Sequence, residues 1–435
     1  MNGNTGTKHR KSIYCACGVI GINMFQVQLK GPLKAFTYPQ FRIFWLASLM
    51  SIIGFFTSII ARGWLVLDMT DSAFMVTAIN GTGMVPMLVF SAFGGVIADR
   101  MSRKVILISS DLFNFLMLLI LSVLVITDNL ELWHLFLLTL FHGIGFAMGT
   151  PARAAMVGNI LSPSDLPSGV ALFTTIFSLS QLVGPAAAGY LINSFGMGLP
   201  FVLSVALLIP AIGLLTRLEI KGQEITTGSQ KGGSVFKSIV EGMLYVRGSR
   251  LLTGIMLLGF SATVFAMPYQ TMLPVFARDI LDVGSKGLGV MGGLAGAGAI
   301  LGSLAVALFS GQRQLRFSML IGSLGMSATI VLFSLSTLYP LSLLLLFLVG
   351  LFLQVFMTSN FTVIQIGTPD YIRGRILSLR MIVMGMGPMG MLALGVMSEI
   401  YGAPNATATM GSIALVMSAV IFAVIPSLRQ FDSIM

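Results

Sequence analysis

The stretch Gly94-Gly95-Val96-Ile97-Ala98-Asp99-Arg100-Met101-Ser102-Arg103-Lys104 packs four charges into six positions, and long apolar runs flank it on both sides. Residues 74–98 hold no charged side chain, and 105–127 hold one, Asp111. A bilayer core about 30 Å thick takes about 20 residues of helix, so each run is long enough to cross it. The charged stretch between them is then a tight turn at the membrane face. Working outward, the same pattern of apolar windows bounded by Pro, Gly and charge recurs along the chain. It predicts twelve spans, at about 43–67, 74–98, 105–127, 133–157, 168–193, 200–216, 251–276, 288–310, 317–337, 341–366, 376–399 and 408–426.

Composition agrees. Of 435 residues 56% are hydrophobic and 9% charged, against about 45–50% and 25% in soluble domains, and mean hydropathy is +0.94. Forty charges cannot cover a water-soluble surface of this size. A soluble enzyme, a disordered chain, a fibre and a disulfide scaffold are excluded. The 49 glycines suit spanning helices, where Gly is more frequent than in soluble ones. Cys15 and Cys17 stand one residue apart and there are three histidines, which gives no disulfide framework and no metal centre. No cofactor is expected, and no constellation of catalytic residues stands near an interface.

The net charge of +10 would suggest nucleic acid in a soluble protein. Here 22 of the 25 basic residues fall on the side of the N-terminus, which the positive-inside rule assigns to the cytoplasm. Both termini are expected there, and no nucleic-acid partner is. Trp45 and Trp64, about 29 Å apart along a helix, fit aromatic belts at the two interfaces, as does Trp133. A cleaved signal at residues 8–25 is not expected, because no small-residue cleavage site follows the short apolar stretch; Met24 is an alternative start.

The expected organisation is a cytoplasmic tail (1–40), a six-helix bundle (41–216), a flexible cytoplasmic linker (217–250), a second six-helix bundle (251–428) and a short tail (429–435). The halves echo each other. Gly184-Pro185 returns as Gly387-Pro388, and Pro163-Ser164-Asp165 as Pro369-Asp370. An all-α membrane protein of two pseudo-symmetric bundles is one arrangement found in secondary transporters.

The stretch from Gly95 to Lys104 resembles the loop signature G-x-x-x-D-R-x-G-R-K of the major facilitator superfamily, with Ser102 where Gly is usual. Gly184-Pro185-Ala186-Ala187-Ala188-Gly189 is similar to the G-P-x-x-G motif of its antiporters. Trp64 to Ser72, Gly149-Thr-Pro-Ala-Arg153 and Leu273 to Leu281 resemble the branch of enterobactin exporters, macrolide-efflux proteins and transmembrane secretion effectors. The resemblance covers about residues 36–428. It implies a twelve-helix transporter in the bacterial inner membrane, a monomer that exports a small amphipathic or hydrophobic compound by alternating access. A lipid-like substrate and metabolite uptake stay open as alternatives, and a membrane enzyme is the least favoured.

The resemblance also implies roles. Asp99, with Arg100, Arg103, Lys104 and Arg380, would latch the bundles on the cytoplasmic side, since the N-terminus of span eleven offers unpaired N–H groups to a carboxylate. Gly95 would let the helices approach closely. Gly184, Pro185 and Gly189 would bend and seal span five against its neighbour. Intramembrane polar groups are functional candidates, because charge in lipid is costly. Arg62 is expected to snorkel outward beside Trp64. Asp111 is expected in the inner charge network, with proton carriage as the alternative. His142 is expected to make an interhelical hydrogen bond, with a proton relay as the alternative. Relatives driven by protons carry an R-x-x-Q-G motif, whose Arg position is Thr139 here and whose Gln position is His142. Asn114, Gln181, Tyr269, Gln270, Gln354 and Asn360 are the remaining candidates for a cavity lining, alongside Asn80 and Gln365.

Overall fold

In this computed structural model the described residues are 31–98, 102–219, 235–308 and 312–428. All secondary structure among them is helical. Eleven stretches are long and apolar enough to cross a membrane, and Ala73–Leu88 adds a shorter apolar helix. The first group is α1 (Pro39–Thr70), α2 (Ala73–Ala98), α3 (Arg103–Ile126), α4 (Leu132–Ile160), α5 (Leu166–Phe195) and α6 (Leu199–Thr216). After α7 (Val235–Gly248) come α8 (Arg250–Ser261) and α9 (Tyr269–Val275), two pieces of one span, then α10 (Gly284–Leu308), α11 (Gln312–Ser334) and α12 (Tyr339–Ile366). Next, α13 (Asp370–Gly385) and α14 (Gly387–Tyr401) share a span, and α15 (Ala403–Val424) is last.

The turns explain where helices stop. Asp71, Asp128 and Asp282 have φ of 50°, 54° and 49°, and Gly196 and Gly402 have 88° and 80°. Left-handed backbone ends a helix, and Asp and Gly are among the few residues that enter it at low cost. The pairing of Asp71 with Asp282, and of Gly196 with Gly402, repeats one turn chemistry in each half of the chain.

Two expectations need correction. Part of the stretch read as a flexible linker is helix α7, whose Val246 is buried and whose Glu241 forms an ion pair with Arg375 of α13. The apolar residues Ile239, Val240, Met243, Leu244 and Val246 recur at helical spacing, and the Gly/Ser-rich segment before them masks that pattern. Span seven, expected as one helix, is interrupted by π turns at Ala262–Ala266 and Phe276–Ile280. Pro268 and Pro274, which remove backbone donors, stand between and beside them.

Within the first group α1 packs on α5 and α6, α2 on α4, and α3 on α4 and α6. Among the later helices α10 packs on α12, α11 on α12 and α15, and α14 on α15. Two main seams join early helices to late ones, α5 with α10 and α2 with α13 and α14, and α1 and α2 also touch α9 between them. A short 3-10 helix, Gly31–Thr37, ties the chain start to α5. There Ala35 N–H donates to Ser168 Oγ, and Lys34 pairs with Asp165 at 2.7 Å.

Candidate functional site

The seams converge at the end of the molecule that holds the α1–α2 turn. On the α5–α10 seam, small residues bring backbones together. A Cβ at Gly189 would lie 2.6 Å from Gly289 Cα, and one at Gly296 would lie 2.5 Å from Leu182 N. Pro185 sits against Gly292, where a Cβ would lie 2.5 Å from the proline Cβ. On the α2–α14 seam, Gly395 receives Phe74 and Thr77, and Gly81 faces Pro388. Polar groups close that seam at its end. The Glu399 carboxylate accepts from Ser72 Oγ at 2.5 Å and from Phe74 N–H at 3.1 Å, satisfying donors at the start of α2. Arg278 adds a third tie: it donates to Leu67 O and pairs with Asp71, each at 2.9 Å, while its Nε donates to Asp279 at 2.6 Å.

Arg278 brings together the two stretches quoted above, Trp64 to Ser72 and Leu273 to Leu281. Arg278 is one of the three basic residues outside the 22 on the side of the N-terminus, and nothing in its own stretch, taken alone, singles out this contact. The signal was available in the matched patterns Leu67-Asp-Met-Thr-Asp71 and Arg278-Asp-Ile-Leu-Asp282, which end in the same left-handed aspartate.

The charged turn is only partly described. Gly95 lies on α2, and Asp99 and Arg100 fall outside the described residues, as do Cys15, Cys17 and 220–234. Arg103 Nη1 donates to Ala155 O at 2.8 Å and also to Asn159, pinning α3 to α4. Lys104 Nζ donates to Thr216 O and Leu218 O, each at 2.8 Å, which satisfies carbonyls at the end of α6. Arg380, half-buried on α13, has its Nε 3.4 Å from Asn360 Oδ1 and its guanidinium 5.1 Å from the Phe361 ring centre.

Asp111 is 1% exposed, pairs with Arg153 of α4 and accepts from Ser51 Oγ of α1 at 2.8 Å. A carboxylate this deep requires such company. Arg62 does not snorkel. It is 4% exposed and turns back along α1, where its Nε donates to Ser58 O at 3.3 Å. The Cα–Cβ bond leans toward the helix N-terminus, so a side chain at 62 reaches inward from Trp64. His142 departs from expectation too: its Nδ1 has no hydrogen-bond partner among the described residues, and its ring stacks on Phe55 at 5.3 Å. Phe55 in turn stacks on Phe146 at 3.7 Å.

The other candidates divide. Asn114 packs on Gly145 with an unpartnered Oδ1, Tyr269 is buried, and Asn360 Nδ2 donates to Ile255 O at 3.1 Å, joining α12 to α8. Gln354 bonds within its own helix to Thr358, and Gln270 is exposed. Gln181 stands on the α5–α10 seam through its backbone at Gly296. The Trp45 indole donates to Leu172 O at 2.8 Å, so it serves α1–α5 packing as well as any belt. Asn360, Arg380 and Thr263 line one cleft of about 280 Å³, counting its open mouth, together with Ile255, Met256 and Phe356. No group of three or more metal-ligating side chains occurs among the described residues.

Comparison with known proteins fits this architecture. The profile of the transmembrane secretion effector family matches residues 30–434. The multidrug efflux pump Tap of Mycolicibacterium fortuitum is 25% identical over 86% of this chain and 93% of its own. The staphyloferrin A transporter of Staphylococcus aureus is 23% identical over 88% and 95%, and macrolide efflux protein A of Streptococcus pyogenes 22% over 90% and 97%. Among solved structures, a POT family transporter in complex with 5-aminolevulinic acid superposes with a TM-score of 0.71 at 13% identity, covering 90% of this chain and 97% of that one. A bacterial homologue of the lysosomal transporter Spinster, inward-facing and unoccupied, gives 0.67 at 14%, covering 91% and 99%. This chain belongs to the transmembrane secretion effector family, multi-pass membrane transporters of the major facilitator type.

Proposed function

We propose that the protein is a secondary active exporter in the bacterial inner membrane, moving a small amphipathic or hydrophobic compound outward by alternating access. Its moving parts are two six-helix bundles, 41–216 and 251–428, with α2 as the twelfth span and both termini in the cytoplasm. The end that holds the α1–α2 turn is then the outer end. One observation carries the reading: at that end the halves meet through glycine-lined backbone contacts and a few polar ties, Arg278–Asp71 and Glu399–Ser72, separate from the packing inside each half. Such contacts can break without unfolding either bundle, and a closed outer end is one of the two states such a cycle needs. The opposite state would close on the cytoplasmic side, where Asp99 and the start of α13 are the proposed latch; Pro185 and Gly189 seal the α5–α10 seam of the closed outer end, while Gly184 lies against Phe56 and Thr57 of α1.

Outward movement is supported by the span-five motif and by relatives named as efflux proteins. Protons are the proposed driver, with Asp111 and His142 as the candidate carriers. Inverted vesicles with an imposed pH gradient test the reading against a substrate panel. Dissipation of the gradient that depends on a compound is the expected result. Accumulation unaffected by collapsing the gradient removes proton coupling, and absence of any protein-dependent transport across the panel overturns the export reading.

A further inference from the structure

Deep charge in this chain is unevenly balanced. Among the described residues, the acidic, basic and histidine side chains away from the ends of the spans are Arg62, Asp111, His142, Arg153 and Arg380. Asp111 and Arg153 neutralise each other. Arg62 and Arg380 have no carboxylate within ion-pair distance among the described residues. A guanidinium held in a spanning segment without a counter-ion is costly, and such a residue is kept for what it binds.

Arg380 is the better built of the two. Its Nε faces the Asn360 carbonyl oxygen, which is itself fixed because the Asn360 amide donates to Ile255 O across to α8. The Phe361 ring lies under the guanidinium at 5.1 Å, a cation–π arrangement that holds its plane. The terminal nitrogens, the two donors of the fork that matches a carboxylate, make no hydrogen bond among the described residues. Around this fork the cleft is apolar, lined by Ile255, Met256, Phe356, Met357, Val383 and Met384. Thioether and aromatic walls suit compounds of varied outline.

We infer that Arg380, positioned by Asn360 and Phe361, is the anion-binding subsite of this transporter, and that its cargo is an amphipathic compound bearing a carboxylate or an equivalent oxyanion. As cargo recognition this rests on the transport reading above, while the subsite itself is testable by binding alone. The ligand's oxyanion takes the two terminal nitrogens, and its apolar part lies along Met256, Met357 and Met384. Cationic amphiphiles are rejected, because among the described residues neither deep guanidinium has a carboxylate beside it to attract them.

The test uses the full chain in lipid nanodiscs and two probes of one shape, naphthaleneacetate and its neutral amide. Affinity is read from the dependence of the unfolding midpoint on probe concentration. Wild type is expected to bind the acid about tenfold more tightly than the amide, the difference of one charge-assisted bidentate contact. Arg380→Gln removes that preference, and Arg375→Gln, one charge fewer on the same helix, retains it. Should Arg380→Gln fail to fold, Arg380→Lys decides, because it keeps the charge without the fork and is expected to retain only part of the preference. Equal affinity of wild type for the two probes, no binding of the acid, or a full preference surviving at Arg380→Gln or Arg380→Lys overturns the inference. An acid preference that requires Arg380, in a protein that moves nothing in vesicles, supports the subsite and strikes the transport reading. Transport without any acid preference does the reverse.

Discussion

The two seams between the halves close the same end of the molecule by different chemistry. The α5–α10 seam is made from absence of side chains. Gly189 lies against Gly289, Gly292 against Pro185, and Gly296 against the backbone of Leu182. The α2–α14 seam uses glycine as well, at Gly81 and Gly395, but ends in the Glu399 carboxylate set on Ser72 and Phe74, with Arg278 tying Leu67 and Asp71 nearby. In lipid there is no hydrophobic force between apolar helices, so close backbone approach and interhelical polar contacts must supply the attraction. The first seam can slide or part with no hydrogen bond to replace. The second has donors and acceptors that must find water when it opens, which is available at a membrane face and not at mid-depth. The α5–α10 seam is therefore suited to be the sealing surface, and the α2–α14 seam to be the one whose strength sets the balance of open and closed states.

The largest effect is expected on the first seam. At Gly189 and Gly296 the atoms an added Cβ would meet are backbone, not the ends of flexible side chains. Gly189→Ala or Gly296→Ala must push α5 and α10 apart, and overpacking of this kind costs about 1–3 kcal/mol. Because the strain is present only when the seam is shut, it shifts the closed–open balance by roughly 5–150-fold. A cysteine placed at Ser285, which is buried at this seam, reads the shift, in a chain whose Cys15 and Cys17 are replaced by Ser. Its labelling by a membrane-impermeant maleimide from outside is expected to rise steeply, and transport to fall with it. Unchanged labelling would make the seam a passive packing surface.

Much of this was legible before any coordinates. Hydropathy alone places the spans, because backbone in lipid must satisfy its own hydrogen bonds and leaves few choices but helix. The Gly-Pro pairs mark both halves. Yet identical dipeptides do different things: α5 runs unbroken through Pro185, while the span holding Pro388 is divided at Met386 into α13 and α14. A local motif does not specify that outcome, since neighbouring helices decide whether a proline's freed carbonyl is accommodated. Arg62 and His142 were misread for a related reason. Their depth follows from position in the span, but the direction each faces depends on helix rotation, which a uniformly apolar span does not encode. The Arg278–Asp71 contact joins residues more than two hundred positions apart, so no single window spans it, and only the likeness of the two aspartate-ended stretches hints at it.

On the second seam the expected effects are smaller. Arg278→Gln removes a partly exposed ion pair and weakens the bond to Leu67 O, and pairs of this kind contribute about 0.2–1 kcal/mol. Glu399→Gln keeps a hydrogen-bond acceptor but removes the charge at the start of α2, worth about 0.3–1 kcal/mol. Each substitution alone is expected to raise labelling of the Ser285→Cys chain by a few-fold at most, less than Gly189→Ala does. The two hold adjacent residues of the α1–α2 turn, Asp71 and Ser72, so the double substitution tests whether their effects add. Additive changes identify two independent ties; strong non-additivity would mean that Arg278 and Glu399 act as one unit, and the two seams would then differ less than their chemistry implies.

The smallest effect lies at the opposite end of α5 and asks whether that helix is fixed where it is not sealed. Asp165, just before α5, is held by Lys34 at 2.7 Å and by the Tyr38 hydroxyl at 2.8 Å. The hydrogen bond from Lys34, then that from Tyr38, draws the Asp165 carboxyl below its ordinary range, and the Asp165 contact raises Lys34 above its own. The sign follows from linkage: a carboxyl with a lowered folded pKa contributes stability that is present above its unfolded value, near 4, and lost as pH falls through the lower folded value. For Lys34 the contribution is present below its unfolded value and lost as pH rises through the raised one. Lys34 stands half in solvent beside the buried Asp165, so solvent screens the pair in part and the change is small. The unfolding midpoint of wild type in nanodiscs should therefore decline slightly more steeply below pH 4 than that of Asp165→Asn. The two curves should differ most near neutral pH and converge in acid. Parallel curves would mean that the short helix Gly31–Thr37 is held to α5 by Ala35 and its apolar neighbours alone, and that α5 owes its placement to the glycine seam at its other end.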